Sequence, residues 1–329
     1  MNMTVTIKDV AKKAGVSAAT VSRVLNNSGY VYEDTRKAVM EAINHLQYKP
    51  NEVARSLYKR TSKLIGLVLP DITNPFFPAL ARGVEDNLQQ QGYRVIFGNT
   101  DGDTTKEMEY IDTFLQHNVV GLIASVDHLH HEVLTNLRVP VVTVDRITEE
   151  LPAVYADHKS GGRLAAEKLI SSGCEKIVVL RGPQDAKPLY DRFQSAMQYL
   201  SEKNVSVNFI DCQLSFEDGR KKAKELFNQF PDTEGIIACN DLVAAAMLHE
   251  AVTRGINVPT DLQVIGYDNI TISEIVHPSL TTIHQPTYDM GVKAADMLIK
   301  LINKEKLGMI HEQLPVYLKE RNSTLNGGI

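Results

Sequence analysis

Two groups of residues in this chain are placed to do chemistry. The first lies between Ile7 and Asn26. Two short helical patterns meet at Gly15: Ile7, Val10, Ala11 and Ala14 share one face of the first, and Val21, Val24 and Leu25 turn inward from the second. Gly15 can take the left-handed backbone that ends a helix, and Ser17 stands where it can cap the next. Ala18, Ala19, Ser22 and Arg23 are left facing outward. This is the construction of a helix-turn-helix, whose second helix enters the major groove of double-stranded DNA. There an arginine can grip a guanine through O6 and N7, while the two alanines offer only methyl contacts.

The second group is scattered in sequence but shares a position, just after a strand-like apolar run. Asn74, Phe76 and Phe77 follow Leu64–Pro70. Asp145 and Arg146 follow the run that ends at Val144. Asp191, Arg192 and Phe193 follow Lys176–Arg181, at the expected start of a helix near Arg192. Phe216 follows the run to Cys212, Asn240 and Asp241 the run to Cys239, Asp268 and Asn269 the run to Tyr267, and Gln285 the run to His284. Rings, carboxylates, guanidinium groups and amides together suit a sugar. The C–H faces of a sugar ring pack on aromatic surfaces, and every buried hydroxyl needs both a donor and an acceptor. A lone phenylalanine after a strand is ordinarily core, and a lone Asp-Arg pair is ordinarily a surface ion pair. Recurrence at strand ends carries the sugar reading. Arg146 and Arg192 are expected to keep Asp145 and Asp268 ionised.

From Leu64 onward apolar runs alternate with amphipathic helical stretches, and the pattern restarts near Ser160. That predicts two open α/β lobes with mostly parallel sheets covered on both faces, and ligands in such sheets sit at the carboxyl ends of strands. The chain has 329 residues, 43% of them hydrophobic, which fits a small head on a two-lobed body. Residues 1–60 hold ten Lys/Arg against five Asp/Glu, whereas the whole chain carries −5. A basic head on an acidic body concentrates phosphate attraction at one end.

The head resembles that of the LacI/GalR family of bacterial repressors. The likeness runs through a third helix, about Asp34 to Leu46, and into Tyr48-Lys49-Pro50-Asn51-Glu52-Val53-Ala54-Arg55-Ser56-Leu57. It implies that Thr6, Ser17, Ala18, Ala19, Thr20, Ser22, Arg23 and Asn26 face DNA. It also implies a hinge helix that orders only on DNA, with Asn51, Ala54, Arg55 and Leu57 at the minor groove and Leu57 as the wedge. The body resembles the type I periplasmic-binding-protein fold that this family carries. Its site pattern is similar to that of ribose-binding proteins and of the family's ribose-responsive branch, with Asn74, Phe76, Phe77, Asp145, Arg146, Arg192, Phe216, Asn240, Asp268 and Gln285 as ligand contacts. The implied domains are 1–48 for the helix-turn-helix, 49–61 for hinge and linker, and 62–329 for the body. One lobe takes about 62–157 and 289–317, the other about 158–288 and 318–325.

The resemblance implies a repressor that leaves a palindromic operator when a small sugar, D-ribose or a related or phosphorylated pentose, binds between the lobes. A homodimer is expected, because the chain ends at Gly327-Gly328-Ile329 without a leucine heptad. An enzyme is the first alternative, but there is no Gly-x-Gly-x-x-Gly, Gly-x-x-x-x-Gly-Lys-Ser/Thr or Gly-x-Ser-x-Gly. No metal or other cofactor is expected: Cys174, Cys212 and Cys239 stand apart, and His128, His130 and His131 read as a solvated loop. Without a secretory signal or a membrane span, a cytoplasmic protein is expected, not a transport binding protein. The rival within the family is a carbon-catabolite regulator that answers to a phosphorylated carrier protein. Asp71–Phe76 and Tyr288–Gly291 resemble that branch too, yet Asp296 stands where it carries a basic residue.

Overall fold

The computed structural model of the protein describes residues 5–49, 62–125, 131–145 and 147–325, and side chains for all of these but 131 and 132. The chain divides into two compact units at Ser62/Lys63. Asn51, Ala54, Arg55, Leu57, Arg146, His128 and His130, all singled out above, lie outside the described residues.

Among the described residues the head has three helices: α1 (Ile7–Ala14), α2 (Ala18–Asn26) and α3 (Glu33–Leu46). Val10, Ala11, Val21, Val24, Val39 and Ala42 form its buried centre. Gly15 ends α1 at φ 67°, in the left-handed region where a side chain is strained. Ser17 Oγ caps α2 by accepting the Thr20 amide at 3.1 Å. The third helix begins one residue earlier than the sequence suggested.

The body holds two six-stranded sheets. The first has strands β1 (Leu64–Leu69), β2 (Arg94–Asn99), β3 (Gly121–Ala124), β4 (Val141–Val144), β5 (Ala153–Ala156) and β11 (His311–Leu314), in the order β11-β5-β4-β3-β1-β2, all parallel. The second has β6 (Lys176–Arg181), β7 (Ser206–Asp211), β8 (Gly235–Ile237), β9 (Gln263–Asp268), β10 (Thr281–His284) and β12 (Tyr317–Lys319), in the order β12-β10-β9-β8-β6-β7, with only β12 antiparallel. Apolar runs such as Leu64–Leu69 and Ile177–Leu180 form interior strands with a neighbour on each side, as strands covered on both faces must.

Each sheet reverses its strand order beside its first strand, between β1 and β3 and between β6 and β8. Such switch points open a crevice at the carboxyl ends. Helix α4 (Phe76–Gln90) follows β1, α5 (Thr104–Gln116) follows β2, and the short α6 (His131–Thr135) follows β3. Three connections pass between the lobes. β5 hands over to α7 (His158–Ser171) through Asp157, which caps that helix. β10 hands over at Gln285–Pro286 to α12 (Thr287–Ile302), which packs against α4. β11 hands over to β12 at residues 315–316.

In the second lobe α8 (Lys187–Ser201) follows β6 and packs on α7. Helices α9 (Phe216–Gln229), α10 (Asp241–Thr253) and the short α11 (Ile272–Ile275) complete it. The expected helix start near Arg192 is wrong by about a turn. Pro188 lies in the first turn of α8, where a missing amide costs nothing, so Arg192 sits in the second turn. Among the described residues no helix is long and apolar enough to cross a membrane.

Candidate functional site

The carboxyl ends of the two sheets face each other across a cavity of about 610 Å³, a volume suited to a small ligand. Asn74, Phe76, Phe77, Asp145, Arg192, Asn240, Asp268 and Gln285 all line it. Phe216 does not. Ser215 caps α9 by accepting the Asp218 amide, so the serine lines the cavity and Phe216 becomes the first helical residue, 39% exposed. Arg146 falls outside the described residues.

The first lobe supplies rings and turns. Asn74 Oδ1 accepts the Phe76 amide at 3.1 Å, closing the turn that launches α4. Phe76 and Phe77 meet edge to face, 5.2 Å between centroids. Phe76 is buried and belongs to the lobe core, while Phe77 is half-buried against it. Asp145 sits just past β4 at φ 56°.

The second lobe supplies charge on a fixed frame. Arg192 lies flat over the Tyr267 ring, its guanidinium carbon 3.7 Å from the centroid. Its Nε donates to His158 Nδ1 at 3.1 Å and its Nη1 to the Cys239 carbonyl at 3.2 Å, and Nη1 stands 3.6 Å from Asp268 Oδ1. Gln285 Nε2 donates to that same Asp268 oxygen at 2.6 Å. Gln285 Oε1 is buried and, among the described residues, has no hydrogen-bond partner. Asn240 is tied into the structure at both ends of its amide: Oδ1 caps α10 through the Val243 amide, and Nδ2 donates one hydrogen to the Leu214 carbonyl, fixing the 213–215 rim. Asp268 and Asn269 stand at φ 106° and 58°. Non-glycine residues held there cost on the order of 1–3 kcal/mol each and cluster at functional sites. Buried Asp241 braces this turn, accepting the Ile270 amide at 2.8 Å and the Thr282 hydroxyl at 2.5 Å.

The two carboxylates differ in charge preference. Burial pushes Asp145 up, but His158 and then Arg192 outweigh it, so its carboxyl ends below the ordinary range. Burial also dominates at Asp268, where Arg192 and Gln285 compensate only in part, and its pKa is raised to about 6. Asp268 is therefore ionised at neutral pH by a narrow margin, whereas Asp145 is held ionised well into acid.

His158, the first residue of α7, was missed by the sequence reading. Its Nε2 lies 2.9 Å from Asp145 Oδ1. The pair has the spacing of an ion pair, yet burial foremost and Arg192 as well lower the imidazole's pKa, against the pull of Asp145. Geometry agrees with a neutral ring: a guanidinium can only donate, so Nδ1 must be a bare acceptor. The signal that could have found His158 is the rule used elsewhere, inspection of residues after each strand. The four-residue strand Ala153–Ala156 went unrecognised.

At the cavity mouth stand Asp71, Asp101 and Asp185. Among the described lining residues, Arg192 is the one cation against five aspartates. In the head, Thr6 pairs with Asp9 and Ser17 with Thr20, while Asn26 Nδ2 donates to the Ser22 carbonyl. Ala18 packs partly against the core, a departure from its expected outward position, whereas Ala19 and Arg23 are exposed. Among the described residues no His, Cys, Asp and Glu cluster could hold a metal ion.

Known proteins share both units. Residues 6–51 match the family described as bacterial regulatory proteins, lacI family, and residues 166–324 match the periplasmic binding protein-like domain. The ribose operon repressor of Bacillus subtilis is 50% identical over 320 residues, 97% of this chain and 98% of that protein. A crystal structure of the lac repressor dimer bound to operator and an anti-inducer matches with a TM-score of 0.90 at 26% identity, covering 98% of this chain and 100% of the other. A LacI family regulator from Enterococcus faecium with bound ribose matches with a TM-score of 0.72 at 30% identity, covering 79% and 98%.

Proposed function

The chain belongs to the LacI family of bacterial regulatory proteins, and from that footing we propose that it is the cytoplasmic, dimeric repressor of a ribose-utilisation operon. The head binds operator DNA, and D-ribose is the effector that binds between the lobes and releases it. The observation that carries the effector reading is Gln285 Oε1, a buried acceptor that has no partner among the described residues, on the wall of a 610 Å³ cavity. It calls for a ligand hydroxyl, because an unmade buried hydrogen bond costs about 1–3 kcal/mol. Asp268 accepts hydroxyl hydrogens beside it, and Phe77 offers a ring for the sugar's C–H face. The aspartates at the mouth disfavour a phosphate, so an unphosphorylated pentose fits better than its phosphate ester. The relatives named for or bound to ribose support the same choice.

Two lobes joined by three short connections can close on a ligand, and a ligand that binds the closed state better shifts the population toward it. Coupling to the operator follows if the paired first lobes move with closure. Arg23, exposed on α2, is proposed to read a guanine. Arg23→Ala should weaken operator binding by about 1–3 kcal/mol and relax one base position. Unchanged discrimination in a binding-site selection would remove α2 from the groove. The catabolite-regulator reading expects a basic residue at position 296. Here Asp296 accepts from Asn87 Nδ2 at 2.9 Å across the α4–α12 pair, which does not favour it.

The deciding experiment is a calorimetric titration of the purified chain with D-ribose, ribose 5-phosphate and hexoses, alongside a pull-down with a phosphorylated carrier protein. Binding of ribose alone supports the proposal. Silence with every sugar together with carrier capture reverses it.

A further inference from the structure

We propose that His158 is a positioning residue of the effector site, a neutral imidazole that ties Asp145 of one lobe to Arg192 of the other so that both walls present one aligned polar set to the sugar. The inference rests on the sugar-site reading above. His158 stands buried at the start of α7, immediately past the first connection between the lobes. Its two ring nitrogens are used in opposite senses and toward opposite lobes. Nδ1 accepts from Arg192 Nε at 3.1 Å, on α8. Nε2 must then carry the proton, and at 2.9 Å it donates to Asp145 Oδ1, past the end of β4.

The chain of contacts does not stop there. Asp145 Oδ1 also accepts the Ala156 amide at 3.2 Å, so the last strand before the connection is tied in. On the other side Arg192 reaches Asp268, and Asp268 takes the amide of Gln285, the residue of the second connection. A polar path therefore runs from one connection to the other beneath the ligand cavity. It is complete only with an unprotonated Nδ1. An imidazolium would aim an N–H at the Arg192 N–H and bring two positive charges together.

The surroundings of the ring fit the neutral form. Arg192 faces it from α8, with Lys187 and Asp191 on the same helix already paired to each other at 2.8 Å. Tyr267 of β9 lies 6.2 Å away, ring to ring, with Asp268 next to it, and Asp157 caps the helix that His158 opens. The Asp145 carboxylate is the acceptor that the Nε2 proton needs. Gly162 sets the spacing: a Cβ there would lie 2.1 Å from the Arg192 carbonyl oxygen, so only glycine lets α7 and α8 approach enough for Arg192 to reach the imidazole.

The test uses the full chain labelled with ¹⁵N-histidine at pH 7.5, with D-ribose as the titrant. Long-range ¹H–¹⁵N spectra should show one histidine with a bare Nδ1 and a protonated Nε2, identified by its absence in His158→Gln. His158→Phe should weaken ribose binding by about tenfold or more, the scale of one lost buried hydrogen bond to a charged group. His158→Gln, whose amide can donate to Asp145 and accept from Arg192, should recover most of that loss. Far-ultraviolet circular dichroism and melting of both variants control for folding. An imidazolium or an Nδ1–H form for His158, wild-type affinity in His158→Phe, or a glutamine no better than phenylalanine would each overturn the assignment. If the wild-type chain gives no heat with ribose, the sugar reading falls and takes the affinity claim with it. The nitrogen signature still decides whether His158 links the lobes as a neutral ring.

Discussion

The first lobe meets the cleft with Phe76, Phe77 and the Asn74 turn, and the second meets it with Arg192, Asp268 and the amide of Gln285. Phe76 is anchored in its lobe's apolar core, so the ring face of the first wall is a continuation of packing, beside which Asp145 adds a buried carboxylate tied to the second wall. Arg192 is held by a ring face, a carbonyl, an imidazole and a carboxylate, so the second wall is a hydrogen-bonded frame. Apolar contact is graded, since a smaller side chain loses area in proportion. A buried polar frame is close to all or none, because each missing member strands its partners. The difference teaches where tolerance and where brittleness should be found in one ligand site.

Removing the centre of the frame should have the largest effect. Arg192→Ala leaves Asp268 buried with only Gln285, and strips the donor from His158 Nδ1. Sugar affinity should fall about 10- to 150-fold, equivalent to roughly 1.5–3 kcal/mol. The Asp268 titration, already raised to about 6, should climb further because Arg192 is the main group lowering it. Calorimetry and carboxyl ¹³C shifts check the two halves. A loss no greater than that of a trimmed ring would erase the contrast between the walls.

The frame should also be costly to keep, which pH can expose. The folded pKa of Asp268 lies above its unfolded value of 3.8. The native state therefore binds that proton more tightly. This contribution is present in full below about pH 4 and is lost as pH rises through 6. At neutral pH the ionised, buried group then costs about 2–3 kcal/mol. Asp268→Asn should be more stable than wild type by about that much at pH 7.5, with the gap closing toward pH 4, while ribose binding is lost. Urea midpoints across pH measure it. His158 shifts the opposite way: its lowered pKa makes stability fall as pH drops below the ordinary histidine value, in both proteins alike, so the difference between them reports Asp268 together with Asp241, whose pKa the Asp268 charge helps to raise. A gap that does not change with pH would show that Asp268 is not raised.

The smallest effect belongs to the apolar wall. Phe77→Leu keeps a hydrophobic surface but loses the flat ring, and should weaken ribose by only about 0.5–1.5 kcal/mol. Phe76→Leu should instead lower stability more than binding, because Phe76 is part of the lobe core. Competition with a series of pentose epimers would sharpen the point, since the ring wall should discriminate among them poorly and the polar frame strongly.

Much of this arrangement is legible in the residues themselves. Leu64–Leu69 and Ile177–Leu180 announce interior strands by unbroken apolar runs, and reading past each strand end collects Asn74, Phe76, Asp145, Asp268 and Gln285 onto one cleft. Gly15 and Ser17 mark the head's turn for the same local reason. What failed depended on tertiary facts or on neighbours. Ala153–Ala156 is four residues long and follows an irregular stretch, so the strand and the His158 behind it passed unnoticed. Phe216 lost its place in the cleft to Ser215, because a capping serine fixes where a helix begins. The charge state of Asp268 turns on burial, and adjacency in sequence says nothing about that.

The closeness of α7 and α8 at Gly162 has a genetic consequence. A selection for cells blind to the inducer should return Gly162→Ala and Gly162→Ser alongside changes in the cleft itself. The added Cβ would fall 2.1 Å from the Arg192 carbonyl oxygen and 2.4 Å from Ser195 Oγ. Such alleles would keep the operon shut in the presence of sugar although residue 162 is not among those lining the cavity. Suppressors at Ser195 could relieve only the hydroxyl clash. The carbonyl belongs to the main chain of α8, so no side-chain substitution there removes it, and true reversion at 162 should dominate among recovered inducible strains.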